Sequence, residues 1–285
     1  MDRKWLESDF DRWLEEAGLS LSTRRLYLCA LKYYRSYLSL YHNRIAPAGM
    51  SRGSHEQYVR SFKDYLVDSH RKANTINAML TALKVYYKFI GYGGHRIEPL
   101  PEERAKSRKV LTKEQMKRLS WIINRIKTRD RAIFLTVLHA GLTPIELSRL
   151  NQDDVTFSST GVYIQIKQDS KIKHREVRAG MTLRKALKAH FLEMLHRGMA
   201  SSEPCTPLWR GRQGRRIGVG TLQGILAEIA KVLGFKVSFS LLRNVWITQQ
   251  AKKAKVTNRK LSSVSGLTQR QTMKMYREKG GPRNS

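Results

Sequence analysis

Arg243 and Tyr276 are the residues of this chain best suited to chemistry on a phosphate. Arg243 lies within Ser-Phe-Ser-Leu-Leu-Arg-Asn-Val-Trp, residues 238–246, with apolar neighbours on both sides. A guanidinium set among leucines needs a phosphate or a carboxylate to meet its charge. Tyr276 follows roughly thirty residues later, closing Thr-Met-Lys-Met-Tyr in a polar stretch of helical character. A tyrosine hydroxyl can attack a phosphorus centre when cations hold the phosphate oxygens and take up the charge that gathers there. Taken alone, Tyr276 reads as an ordinary surface or core tyrosine ahead of a nucleophile. Lys167 is a third candidate, since a lysine beside a departing oxygen can donate its proton, although a lysine in a hairpin turn is by default a surface residue. Lys171 and Lys173 share that turn, and its register leaves all three open.

Other chemistry finds little support. His139, His174, His190 and His196 have no metal-ligand spacing, and Cys29 and Cys205 are too far apart to read as a disulfide framework or a zinc site. There is no phosphate-cradling Walker loop, and the stretch from Gly211 to Gly220 lacks a nucleotide-binding pattern. The chain is expected to use no metal and no cofactor.

Composition points to a partner. Lys plus Arg total 54 against 23 acidic residues, giving a net charge of +31 and a pI near 10.5. That excess goes beyond what solubility requires and implies a polyanion. Nucleic acid fits best, with RNA or ribosome binding as the other form of that reading. A membrane surface fits less well, because no apolar run approaches about eighteen residues. The first residues, Met-Asp-Arg-Lys-Trp, lack an apolar signal core, so an intracellular location is expected.

Residues 1–95 read as four amphipathic helices. The first carries Trp5, Phe10, Trp13 and Leu14; the second carries Leu26, Ala30, Tyr34, Tyr37 and Leu38, with Ser20, Ser22 and Thr23 each offering an N-cap. Tyr58, Phe62, Tyr65 and Leu66 give a third face. Ile76, Met79, Leu80, Leu83, Tyr86, Tyr87 and Ile90 give a fourth, started by Asn74 and Thr75. The tyrosines read as core ahead of base-stacking platforms. Arg24, Arg71 and Lys72 are among the many cations between these faces, and their shared sign suits a phosphate backbone. Residues 96–110 break the helical pattern and turn basic, with Lys106, Arg108 and Lys109 as candidate backbone contacts. Residues 111–285 form the second domain. Thr112 and Gln115 spell a capping box, Arg129 to Ala140 is a helix ended by Gly141, and Thr143-Pro144 starts the next. Gly161 to Ile166 and Arg175 to Arg178 are strands of a hairpin, and Leu183–Leu195 and Thr221–Leu233 are helices. Residues 198–220 read as a loop, where Arg215 and Arg216 are further candidates for DNA contact.

Four phrases in this order resemble the tyrosine recombinase (phage integrase) family: Thr75 to Tyr87, Arg129 to Leu150, Ile166-Lys167 with Arg175-Glu-Val, and Arg243 with Tyr276. The resemblance spans nearly the whole chain. It implies a mainly α (α+β) protein, with an N-terminal helical core-binding bundle and a C-terminal catalytic-type domain bearing a small antiparallel β element. It also implies double-stranded DNA as partner, a homo-oligomer on that DNA, nucleoid association in the cytoplasm, and no cofactor. In the family's chemistry Tyr276 would form a 3′-phosphotyrosyl link, Arg243 would be the second of two phosphate-binding arginines, and Lys167 would protonate the leaving 5′-oxygen. The match is partial. Thr143 stands where the first arginine belongs, Ser240 at the histidine position three before Arg243, and Leu267 at a histidine or tryptophan position nine before Tyr276. Losing one transition-state donor costs about 2.7–4 kcal/mol, so the pattern suggests impaired cleavage unless Arg149, Arg175 or Arg178 substitutes. Each such cation that meets a phosphate releases counterions. Duplex affinity measured by fluorescence anisotropy is therefore expected to fall by about 10³ or more between ~50 and ~200 mM salt, and a flat response would exclude duplex DNA as the partner.

Overall fold

The computed structural model describes residues 7–42, 52–92, 98–101, 110–167, 174–201, 203, 205–211, 213–252, 257–269 and 271–272. The chain divides into two compact units, residues 1–106 and 107–285. The first holds four helices, α1 (Glu7–Glu16), α2 (Leu21–His42), α3 (Arg52–Asp68) and α4 (Ala73–Phe89). Ser20 Oγ accepts from Thr23 N at 3.3 Å and so starts α2. α4 begins at Ala73 after Lys72, which caps with no side-chain bond, so Asn74 and Thr75 lie inside the helix rather than at its cap. Leu31, not Leu26, completes the inner face of α2; Leu26 is 49% exposed. Steps of four residues overshoot a 3.6-residue turn by about 40°, so the earliest member of the series 26, 30, 34, 38 rotates out of the stripe.

The tyrosines of this unit build its core. Tyr34, Tyr37, Tyr86 and Tyr87 are buried, and the hydroxyls of Tyr34 and Tyr87 meet at 3.1 Å. Burial pushes the Tyr86 phenol up to about 12 and raises those of Tyr34 and Tyr87 further. Arg24 ties α2 to α1 through a bidentate pair with Asp11, both bonds at 2.7 Å, and a contact to Glu15.

The second unit runs α5 (Lys113–Ile123), α6 (Thr128–Ala140), α7 (Pro144–Arg149), a 3₁₀ turn (Gln152–Asp154), β1 (Val155–Phe157), β2 (Val162–Ile166), β3 (Arg175–Ala179), α8 (Met181–His196), α9 (Val219–Leu233), α10 (Phe239–Ala251) and α11 (Asn258–Ser265). The molecule is thus mainly helical, with one small antiparallel sheet in the order β1-β2-β3. β2 and β3 pair with Ile166 opposite Arg175. β1 is a strand that the sequence does not announce, because three residues are too few to show alternation. α6 is buried on almost every side and packs against α8 and α10, which places it at the centre of the unit. The stretch 198–220, expected as a loop, buries Leu208, Trp209 and Ile217 in the core and gives its last two residues to α9, with Trp209 stacked on His190 at 5.1 Å. Among the described residues no helix is long and apolar enough to cross a membrane.

Gly141 caps α6 at φ +65°, and a Cβ there would lie 2.1 Å from Trp246 on α10. Both the left-handed backbone and the indole exclude a side chain. Gly141→Ala is expected to destabilise the second unit by about 2–4 kcal/mol, read as a lowered melting temperature.

Candidate functional site

The site grows from the entry to α7. Thr143 Oγ1 accepts from Glu146 N at 3.3 Å, and Glu146 Oε2 accepts from Thr143 N at 2.7 Å. This reciprocal capping box turns the Glu146 side chain inward, where the residue is only 7% exposed. A buried carboxylate requires counter-charge, and two arginines supply it. Arg175 donates Nη1 to Oε1 at 2.5 Å and Nη2 to Oε2 at 2.9 Å. Arg243 brings Nη1 to 3.5 Å from Oε2.

Strand parity explains Arg175. On β3 the residues Arg175, Val177 and Ala179 are buried, while Glu176 and Arg178 face out. Arg175 therefore shares the apolar face, and its Nε donates to Val264 O at 3.1 Å. Arg243 comes from α10, which Ser238 caps through a 3.1 Å bond from Leu241 N. Its Nη1 donates to Gly141 O and its Nη2 to Ser265 O. These carbonyls belong to the C-terminal ends of α6 and α11, where helix dipoles concentrate negative charge. Burial works to raise the Glu146 carboxyl, but the Arg175 bonds and charge, the Thr143 amide and Arg243 together hold it below the usual carboxylate value.

The other candidates fall in different places. Tyr276 lies outside the described residues, as do Lys171, Lys173, Lys106, Arg108 and Lys109. Lys167 sits at the end of β2, one residue beyond the Ile166–Arg175 pair. Its Nζ lies 2.7 Å from Asp154 Oδ1 and 3.0 Å from Asp153 Oδ2, and these carboxylates, Asp154 foremost, raise its pKa and keep it an ammonium. Of the three arginines that could stand in for position 143, only Arg175 joins the cluster. Arg149 is exposed on α7, and Arg178 reaches outward to Thr160 Oγ1 at 3.0 Å. Ser240 is exposed, and Leu267 packs against the core. Arg71 and Lys72 are exposed between α3 and α4, with Arg71 5.6 Å above the Tyr33 ring. Arg215 is exposed. Arg216 donates to Ser148 O, Leu150 O, Asn151 Oδ1 and Cys205 O at 2.5–3.3 Å, clamping its loop to the end of α7. His190 is buried with Nε2 3.0 Å from Leu208 O, and burial lowers its pKa. No group of three or more potential metal ligands occurs among the described residues.

Glu146 is the residue that inspection for catalytic types overlooks. Its signal is the Thr-x-x-Glu spacing after Gly141, which reads as a helix start and also buries an acid.

Residues 109–280 match the model of the phage integrase family. The chain belongs to that family. It is 29% identical over 161 residues to the tyrosine recombinase XerA of Thermococcus onnurineus, covering 55% of this chain and 51% of the relative. It is 25% identical over 251 residues to the tyrosine recombinase XerC of Syntrophus aciditrophicus, covering 82% and 80%. The chain spans about half the length of the first curated relatives that it matches. Two solved structures share the fold of this phage integrase family member. One is the XerH recombinase bound to a palindromic difH substrate in a post-cleavage complex, with a TM-score of 0.70 at 15% identity, covering 94% of this chain and 80% of that one. The other is the Tn1549 transposon integrase in complex with circular intermediate DNA, with a TM-score of 0.69 at 14% identity, covering 96% and 95%.

Removing the Glu146 charge leaves two desolvated guanidiniums facing each other. Glu146→Gln is expected to cost about 3–5 kcal/mol in urea unfolding of the second unit. The carboxyl is lowered in the folded state, so its stabilisation is complete above the unfolded value of 4.5 and drains away as pH falls below it. That acid-side loss should be absent from Glu146→Gln.

Proposed function

We propose that this chain binds double-stranded DNA at specific sites as a homo-oligomer and cleaves strands weakly or not at all. Its role is that of a regulator or accessory factor acting on nucleoid DNA in the cytoplasm. Residues 1–95 serve as the core-binding domain, 96–110 as a basic linker, and 111–285 as the catalytic-type domain.

The observation that carries this reading is the disposition of cations around Glu146. At Thr143, where the family places its first arginine, a neutral hydroxyl is turned inward to cap α7. Arg175 restores the number of guanidiniums, yet all three of its nitrogens donate to protein acceptors and its side chain is 4% exposed. Arg243 also donates both Nη atoms to carbonyls, but its side chain is 12% exposed, so on this reading it is the arginine of the two that a phosphate meets. One missing transition-state donor corresponds to about 10²–10³ in rate. Ser240 and Leu267 remove two further family positions, and Lys167 is held by two carboxylates. The charge of +31 supports DNA as the partner, as do the DNA-bound complexes of XerH and the Tn1549 integrase.

A second reading is an active site-specific recombinase that uses Tyr276 with Arg175 as the relocated arginine. It is favoured by the placement of Arg175 on the same carboxylate that Arg243 touches.

Covalent trapping separates the two. Nicked suicide duplexes from the DNA flanking the gene are incubated with wild type, Tyr276→Phe and Thr143→Arg, then run on native and denaturing gels. The expected result is a native shift for all three, no denaturation-resistant adduct from wild type or Tyr276→Phe, and an adduct from Thr143→Arg. An adduct from wild type that disappears in Tyr276→Phe would establish the active recombinase instead.

A further inference from the structure

Arg175 has a second direction of bonding that the neutralisation of Glu146 does not require. Its Nε donates to Val264 O, and the next carbonyl, Ser265 O, accepts from Arg243. Two arginines, one from β3 and one from α10, therefore grip adjacent carbonyls in the last turn of α11. α11 has eight residues, too few to be stable without tertiary support. Its apolar support comes from Leu261, which is fully buried, and from the partly buried Val264. Gly266 ends the helix at φ +69°, and a Cβ there would come within 3.0 Å of Arg175 Nη1. The helix end thus lies directly against the guanidinium. The chain leaves this grip at Gly266, ten residues ahead of Tyr276.

We infer that Arg175 is a positioning residue: its fork spans Glu146 and Val264 and docks the end of α11, fixing where the Tyr276-bearing segment departs. This rests on the family reading of Tyr276 given above. The role belongs to arginine and not to positive charge alone. A planar guanidinium presents three nitrogens in fixed directions, whereas a lysine ammonium is a single point that cannot span both carboxylate oxygens and the carbonyl. It also differs from direct phosphate binding, because none of the three nitrogens faces outward.

The test uses the full chain as Arg175→Lys, which keeps a charge beside Glu146, and as Arg175→Met. Amide exchange followed by mass spectrometry compares peptides covering 257–266 with peptides from α6. The expected result for Arg175→Lys is exchange at least tenfold faster in 257–266, with α6 unchanged and duplex affinity reduced no more than twofold. Unchanged exchange in 257–266 would overturn the inference. So would an equal rise in α6, which marks a general stabiliser; if Arg175→Met fails to fold, Arg175→Lys still decides. A second readout uses the Thr143→Arg background, where Arg175→Lys should slow single-turnover adduct formation at saturating duplex at least tenfold without a matching change in Kd. An unaltered rate there would refute the link to Tyr276. If Thr143→Arg forms no adduct, one restored guanidinium does not revive a site that also lacks the family's residues at the Ser240 and Leu267 positions, and the exchange data alone judge the docking of α11.

Discussion

A carboxylate removed from water between two guanidiniums is the constraint around which the second unit is arranged. Glu146 has no solvent to fall back on, so each of its oxygens must meet a donor, and each does. The donors come from different parts of the chain: the Thr143 amide at the cap of α7, Arg175 on β3 and Arg243 on α10. The arginines then reach the carbonyl ends of α6 and α11. One acidic side chain thereby fixes the mutual placement of five elements drawn from three separate stretches of the sequence. Such a network contributes less net stability than its number of bonds suggests, because desolvation offsets much of the attraction. What it supplies is definition, since removal of any one member leaves charge stranded in the interior.

Packing holds the same centre from the other side. Trp246 lies three residues beyond Arg243 on α10, and its ring covers the Cβ-less Gly141 whose carbonyl receives the Arg243 guanidinium. The close approach of indole and glycine sets the depth of α10 against α6, and that depth brings Arg243 to Glu146. Polar and apolar contacts are therefore two views of one docking. The loop through Trp209 acts similarly at the far end of α7, where its indole fills the core and Arg216 ties the returning chain to Ser148, Leu150 and Asn151.

Much of this arrangement is legible in the amino-acid sequence. The period of 3.6 marks the four N-terminal helices, Gly141 and the Thr-Pro pair mark a helix end and a helix start, and apolar neighbours mark Arg243 as an arginine with a buried partner. The identity of that partner is not legible, because Glu146 is separated from Arg243 by nearly a hundred residues and local pattern carries no information on the pairing. Parity with Val177 and Ala179 tells Arg175 from Arg178, but the signal spans only three residues. Lys167 is legible as a hairpin lysine; its capture by Asp153 and Asp154 is not, since that depends on how the 3₁₀ turn lies beside β2. Trp209 is hidden by its Gly, Pro and Arg surroundings, whose composition describes the rim of that loop and not its anchor.

The cluster also has an arithmetic of its own. One carboxylate between two guanidiniums leaves a single positive charge. A phosphodiester in its resting state carries one negative charge, and it gains more as a nucleophile adds. An arginine at position 143 would have made the surplus two, graded to the richer charge of the activated state. With threonine there, the surplus equals the charge of unreacted DNA. On the proposed reading, the site is electrostatically matched to a substrate held rather than to a substrate in transit, and affinity and turnover part company at a single residue.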